Sequence, residues 1–122
     1  MKGKGIIVTG SLLMALGVVF GAFGAHFVEG LLTPDRFDVY QTAVQYHFYH
    51  ALGLILIGAL SQHMPETKWL KWTGWLLTAG VVIFSGSLYL LTLTDTGWLV
   101  AITPIGGAAF IGGWVCLVMA VI

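Results

Sequence analysis

IIVTGSLLMALGVVFGAFGAHF, residues Ile6–Phe27, carries no charged side chain, and its length decides the fold. A helix needs about 20 residues, rising 1.5 Å each, to cross the hydrocarbon of a bilayer. The apolar core of a signal peptide has only about 7–15, so the run reads as a retained first helix even though Lys2 and Lys4 precede it. Three more runs of the same kind follow at Ala43–Leu60, Thr73–Leu93 and Trp98–Ile122. None alternates as a barrel strand does, and a backbone in hydrocarbon must bond within itself, which leaves helices as the spanning elements.

The expected fold is therefore an all-α integral membrane protein, a compact antiparallel bundle of four transmembrane helices. It forms a single domain over residues 1–122, with helices at about 6–27, 34–60, 73–93 and 98–121. The second helix starts ahead of its apolar run because Thr33-Pro34-Asp35 supplies a capping hydroxyl, a proline at the first helical position and an acid in the first turn. Connections of this length make consecutive helices neighbours and leave no room for a soluble domain.

Composition agrees. The chain has 122 residues, 58% hydrophobic and 8% charged, against about 25% charged in a soluble domain. Five Lys and Arg balance five Asp and Glu, so no basic field exists to attract nucleic acid. The lone Cys116 cannot form an internal disulfide, and no zinc-type Cys/His spacing is present. Lys2, Lys4, Lys68 and Lys71 fall on one side of the four-span arrangement and only Arg36 on the other, which predicts both termini in the cytoplasm. Glu29, Asp35, Asp38 and Asp95 then lie outside. Trp69, Trp72 and Trp75 anchor the inner interface, with Tyr40 and Trp98 near the outer one.

Seventeen glycines need a reason, and close approach of helix backbones in lipid supplies one. Gly17 and Gly21 have GxxxG spacing, continued by Ala25; Ala108 with Gly112 and Ala109 with Gly113 repeat it in the fourth helix. These faces are the expected packing surfaces, within one bundle or in a homo-oligomer.

Combining topology with polar residues brings a cluster to one depth, in the outer halves of the helices. His26 ends the first helix; Gln45, His47 and His50 begin the second; Ser85, Ser87 and Tyr89 end the third; Thr103 and Pro104 begin the fourth. His47 and His50, three residues apart, share a face. Three readings suit the cluster: polar glue between helices, a pocket for a lipid headgroup or small polar ligand, and a haem or transition-metal site using His26, His47 and His50. No carboxylate lies at membrane depth to orient a nucleophile or relay protons, which counts against hydrolytic chemistry and proton transport.

The sequence also resembles a known family, the small four-helix membrane proteins of the domain-of-unknown-function 423 group. The resemblance rests on GAFGAHF at Gly21–Phe27, YQTAVQYHFYHALGL at Tyr40–Leu54, FSGSLYLL at Phe84–Leu91 and ITPIGG at Ile102–Gly107. It implies a multi-pass protein of the bacterial inner or plasma membrane with no established molecular activity, some relatives being associated with envelope integrity. His26, His47, His50, Ser85, Tyr89 and Pro104 are the motif positions it carries over. The expected function is non-enzymatic support of the membrane or of a partner complex. The alternatives are a ligand, metal or haem binder or small-solute transporter using the outer cluster, and an enzyme acting on lipid.

Overall fold

The computed structural model describes residues 1–122 and contains four helices long and apolar enough to cross a membrane. They are α1 (Gly3–Val28), α2 (Pro34–Ser61), α3 (Lys68–Thr94) and α4 (Gly97–Val121). Each boundary has a local cause. Thr33 Oγ1 accepts from the Arg36 N–H at 3.3 Å, and Pro34 takes the first helical position, where no N–H is needed. Thr67 caps α3 in the same way, accepting from the Leu70 N–H at 3.3 Å. Asp95 ends α3 with a φ of 55°, the left-handed conformation that stops a helix. A tight 3-10 turn at Gly97–Ala101 opens α4 before the α-helical stretch Thr103–Val121.

Two of the helices are interrupted. α1 is π-helical over Val19–Gly24 and α3 over Val81–Ser85. A π turn holds an additional residue and bonds i to i+5, so it rotates whatever follows and loosens nearby carbonyls from the regular ladder.

α1 packs along α2, α4 packs along α3, and α2 joins α3. The central pair buries 39% and 44% of its apolar stretches, α1 and α4 only 17% each. Ile6 of α1 nonetheless reaches Gly74 of α3, and Trp114 of α4 reaches Gly53 of α2. The bundle is thus a rhombus with α2 and α3 on its short diagonal. Its core has two layers. Ile6, Leu54, Ile57, Leu70, Leu77, Val81 and Phe110 fill the half nearer the lysines, and Val28, Tyr40, Ala43, Leu88 and Tyr89 fill the far half.

Glycine sets the closest approaches. A Cβ on Gly58 would stand 2.8 Å from the Gly3 carbonyl oxygen, and one on Gly106 would stand 2.7 Å from the Phe84 Cα. Backbone cannot yield as a flexible side chain can, so no larger residue fits at either place without parting the helices.

The outward faces are apolar all round, with Phe23, Phe27, Val82, Trp98, Ile111 and Val121 exposed. Such a surface belongs in lipid.

Candidate functional site

α2 carries the two buried histidines, and each uses both ring nitrogens. His47 Nε2 lies 2.6 Å from the Leu13 carbonyl of α1, and its Nδ1 lies 2.9 Å from the Tyr89 hydroxyl of α3. A carbonyl only accepts, so Nε2–H donates to Leu13 and, in the neutral ring, Nδ1 accepts from Tyr89 O–H. His50 Nδ1–H donates to the Tyr46 carbonyl at 2.7 Å, one turn back on its own helix, while its Nε2 accepts from the Trp114 indole N–H of α4 at 3.1 Å. An indole only donates, so that nitrogen keeps its lone pair and the His50 ring is neutral. Two histidines on one face of α2 therefore bond to all three other helices.

Aromatic rings support these geometries. His50 stacks on Phe110 with centroids 3.6 Å apart and planes within 12°. Tyr89 stacks on Phe20 at 4.6 Å and meets Tyr40 at 5.4 Å. The web continues from there. Tyr40 O–H donates to the Phe20 carbonyl at 2.7 Å, inside the π segment of α1. Ser85, which closes the π segment of α3, donates to the Ala43 carbonyl of α2 at 2.7 Å. Ser87 and Thr103 share a hydrogen bond of 2.6 Å between α3 and α4. At the far end, the Arg36 guanidinium bonds the Thr92 carbonyl, one of the last-turn acceptors of α3.

Six of the eight polar positions singled out in the sequence belong to this web: His47, His50, Ser85, Ser87, Tyr89 and Thr103. His26 and Gln45 do not. Both are exposed; Gln45 lines a shallow outer cleft with Asp38, Gln41 and Tyr49. The structure does not bring His26, His47 and His50 together as one set of ligands. No three His, Cys, Asp or Glu side chains come together, and both inner histidines have committed the nitrogen that iron or zinc would need. Nor does either serine touch a histidine, since Ser85 bonds a backbone carbonyl and Ser87 a threonine.

The small residues divide between contact and surface. Gly17 and Gly21 lie against Phe48, and Gly113 against Leu77. Ala108, however, is exposed, Ala109 is half-buried, and Gly112 meets only Leu76 at an ordinary 3.5 Å. The working face of α4 is Gly106, Phe110 and Gly113, because Phe110 turns into the space over Gly80 of α3 and fixes the helix's rotation. Tyr40 is buried within the bundle, and Arg36 and Trp114 join the web with no local signal to announce them.

Residues Phe20 to Gly107, which hold most of this web, match the family profile described as "Protein of unknown function (DUF423)", residues 20–107. The chain belongs to that family. It is 44% identical over 119 residues to the UPF0382 membrane protein YwdK of Bacillus subtilis, covering 98% of this chain and 97% of that one. A UPF0382 membrane protein of Staphylococcus haemolyticus is 49% identical over 116 residues, covering 95% and 93%. One from Staphylococcus epidermidis is 47% identical over 117 residues, covering 96% and 94%. No solved structure matches the chain. The DUF423 profile takes in His47, His50, Tyr89, Ser85 and Thr103, but stops short of Leu13 and Trp114, the partners at either end.

Proposed function

We propose that the chain is a non-enzymatic scaffold of the bacterial plasma membrane, whose polar cluster clasps four antiparallel helices together and whose bundle supports the membrane barrier or a partner complex. The observation that carries this reading is the complete use of the His47 and His50 nitrogens by Leu13, Tyr89, Tyr46 and Trp114. Buried polar groups that already have partners have little left to offer a ligand.

The order of contacts supports antiparallel neighbours. Along α1, Gly3, Gly10, Gly17 and Gly24 meet Gly58, Ala51, Phe48 and Tyr40 of α2 in descending order. The placement of Lys2, Lys4, Lys68 and Lys71 at one end supports cytoplasmic termini. A phosphatase reporter that works only outside the cytoplasm tests the orientation: it should be active when inserted at Thr96 and silent when fused after Ile122.

The clasp reading is tested by purifying the protein in mild detergent. It should be colourless, without a Soret band or stoichiometric metal, and His47→Ala should lower its unfolding temperature. A coloured or metal-loaded protein that loses its cargo on His47→Ala would overturn the reading. For the physiological part, a strain lacking the chain should take up more of a membrane-excluded dye, with the wild-type chain restoring the barrier.

One feature favours a second reading, an apolar ligand. A groove of about 580 Å³ runs between α1 and α3, walled by Leu16, Phe20, Val82 and Leu90, with His47 and Tyr89 at its floor. Native mass spectrometry showing a single apolar molecule held there, and released by Gly86→Leu, would favour a binder over a scaffold.

A further inference from the structure

At the opposite end of the molecule the chain builds a second site from residues the clasp does not use. A cleft of about 430 Å³ opens where the start of α1, the end of α2 and the start of α3 meet. That volume falls within the range of about 300–1,000 Å³ typical of small-ligand pockets. Its floor is apolar, made by Ile6 and Leu70, and its wall carries Lys2, Lys4 and Lys71 against one carboxylate, Glu66. Ser61, Gln62 and Thr67 add neutral polar groups.

The backbone adds to the positive field. α1 begins with no side-chain cap, and its first helical bond, from Ile6 N–H to the Lys2 carbonyl, leaves the amides of Gly3, Lys4 and Gly5 without a helical acceptor. α3 starts at the same cleft with Thr67 capping only the Leu70 amide. Two helix starts thus point partial positive charge at a space already ringed by three ammonium groups.

Depth decides the ligand. Ile6 opens the first apolar run and Lys2 and Lys4 precede it, so the cleft floor lies at the edge of the hydrocarbon and its mouth among headgroups. We propose that this cleft binds the phosphate of an anionic phospholipid headgroup, the lysines and free amides taking the phosphate oxygens while the lipid's chains stay in the bilayer. Basic pockets between transmembrane helices bind such headgroups through charge and shape together. The proposal needs only that the chain spans a membrane. It stands apart from the clasp reading and from the choice of which side the lysines face.

Native mass spectrometry tests it, with the protein released from mixed phosphatidylglycerol and phosphatidylcholine nanodiscs. One phosphatidylglycerol should stay bound in preference to phosphatidylcholine. Changing Lys2, Lys4 and Lys71 together to Gln should weaken that binding on the order of 100-fold, while the same three positions as Arg should keep it. Because these side chains are exposed, circular dichroism should show unchanged helix content in both variants. Lys68 lies over the Trp69 ring, 5.3 Å from its centroid, and does not line the cleft, so Lys68→Gln should matter less than Lys71→Gln. Equal effects of Lys68→Gln and Lys71→Gln would mean diffuse surface attraction and overturn the site. So would phosphatidylglycerol binding that survives the triple Gln variant. Retention of glycerol phosphate by the detergent-purified protein, with no phosphatidylglycerol held in preference to phosphatidylcholine from the nanodiscs, would make a free phosphate the ligand and overturn the lipid form.

Discussion

The two halves of this bundle solve the same packing problem with different materials. Away from the lysines, helices are joined through His47, Tyr89, Tyr40, Ser85 and Ser87, each polar atom matched to a partner on another helix or its own. Nearer the lysines almost nothing polar is buried, and Gly3, Gly10, Gly58 and Gly113 let backbones and aliphatic side chains touch directly. Lipid explains why both work. Hydrocarbon gives helices no hydrophobic reason to associate, so what remains is close contact or hydrogen bonding, and the chain uses one in each half.

That contrast can be broken at its strongest point by parting two backbones. Gly58→Leu forces a side chain against the Gly3 carbonyl and the Ile7 amide and should cost about 3 kcal/mol of stability, read as a lower midpoint in detergent unfolding. Hydrogen bonds should be more forgiving. His47→Ala removes the bonds to Leu13 and Tyr89, for a loss of about 1–2 kcal/mol in the same measurement. Trp114→Phe removes one bond, to His50, and keeps most of the ring packing, so about 0.6 kcal/mol should be lost. A cost for Trp114→Phe above that for Gly58→Leu would reverse the ranking of contact over hydrogen bonding. At the small end, His26→Ala and Gln45→Ala change exposed groups outside the web and should stay within about 0.5 kcal/mol of wild type. Ala108→Leu sharpens a separate point. On an outward face it should leave the monomer's unfolding midpoint unchanged, and a shift to smaller species in native mass spectrometry would expose a subunit contact there.

Four apolar runs of membrane length were plain in the sequence, because span length and lack of charge are properties of a segment rather than of its contacts. The shared face of His47 and His50 was plain too, since spacing alone fixes it. Rotation was harder to read. In α4 every face is apolar, so no polar stripe shows which side turns inward, and Ala108 with Gly112 looks as good as Gly106 with Phe110 and Gly113. A phenylalanine seated over a glycine of another helix decides it, and neither half of that pair is informative alone. In α1 the π segment at Val19–Gly24, which includes Gly21, lies between Gly17 and His26. A wheel drawn at regular helical pitch through that segment misplaces everything after it, and His26 ends on the outside. Arg36 and Trp114 were hidden for a simpler reason. Their partners, the Thr92 carbonyl and His50, lie 56 and 64 residues away in sequence.

The hydrogen bonds through the histidines also have a direction. From Tyr89 the donors point through His47 to the Leu13 carbonyl, and from Trp114 through His50 to the Tyr46 carbonyl. Viewed as wiring, each chain is a short one-way line that ends at a peptide oxygen with no proton to hand on. Each line holds tension between helices and, by its direction, fixes which nitrogen of each ring carries the proton.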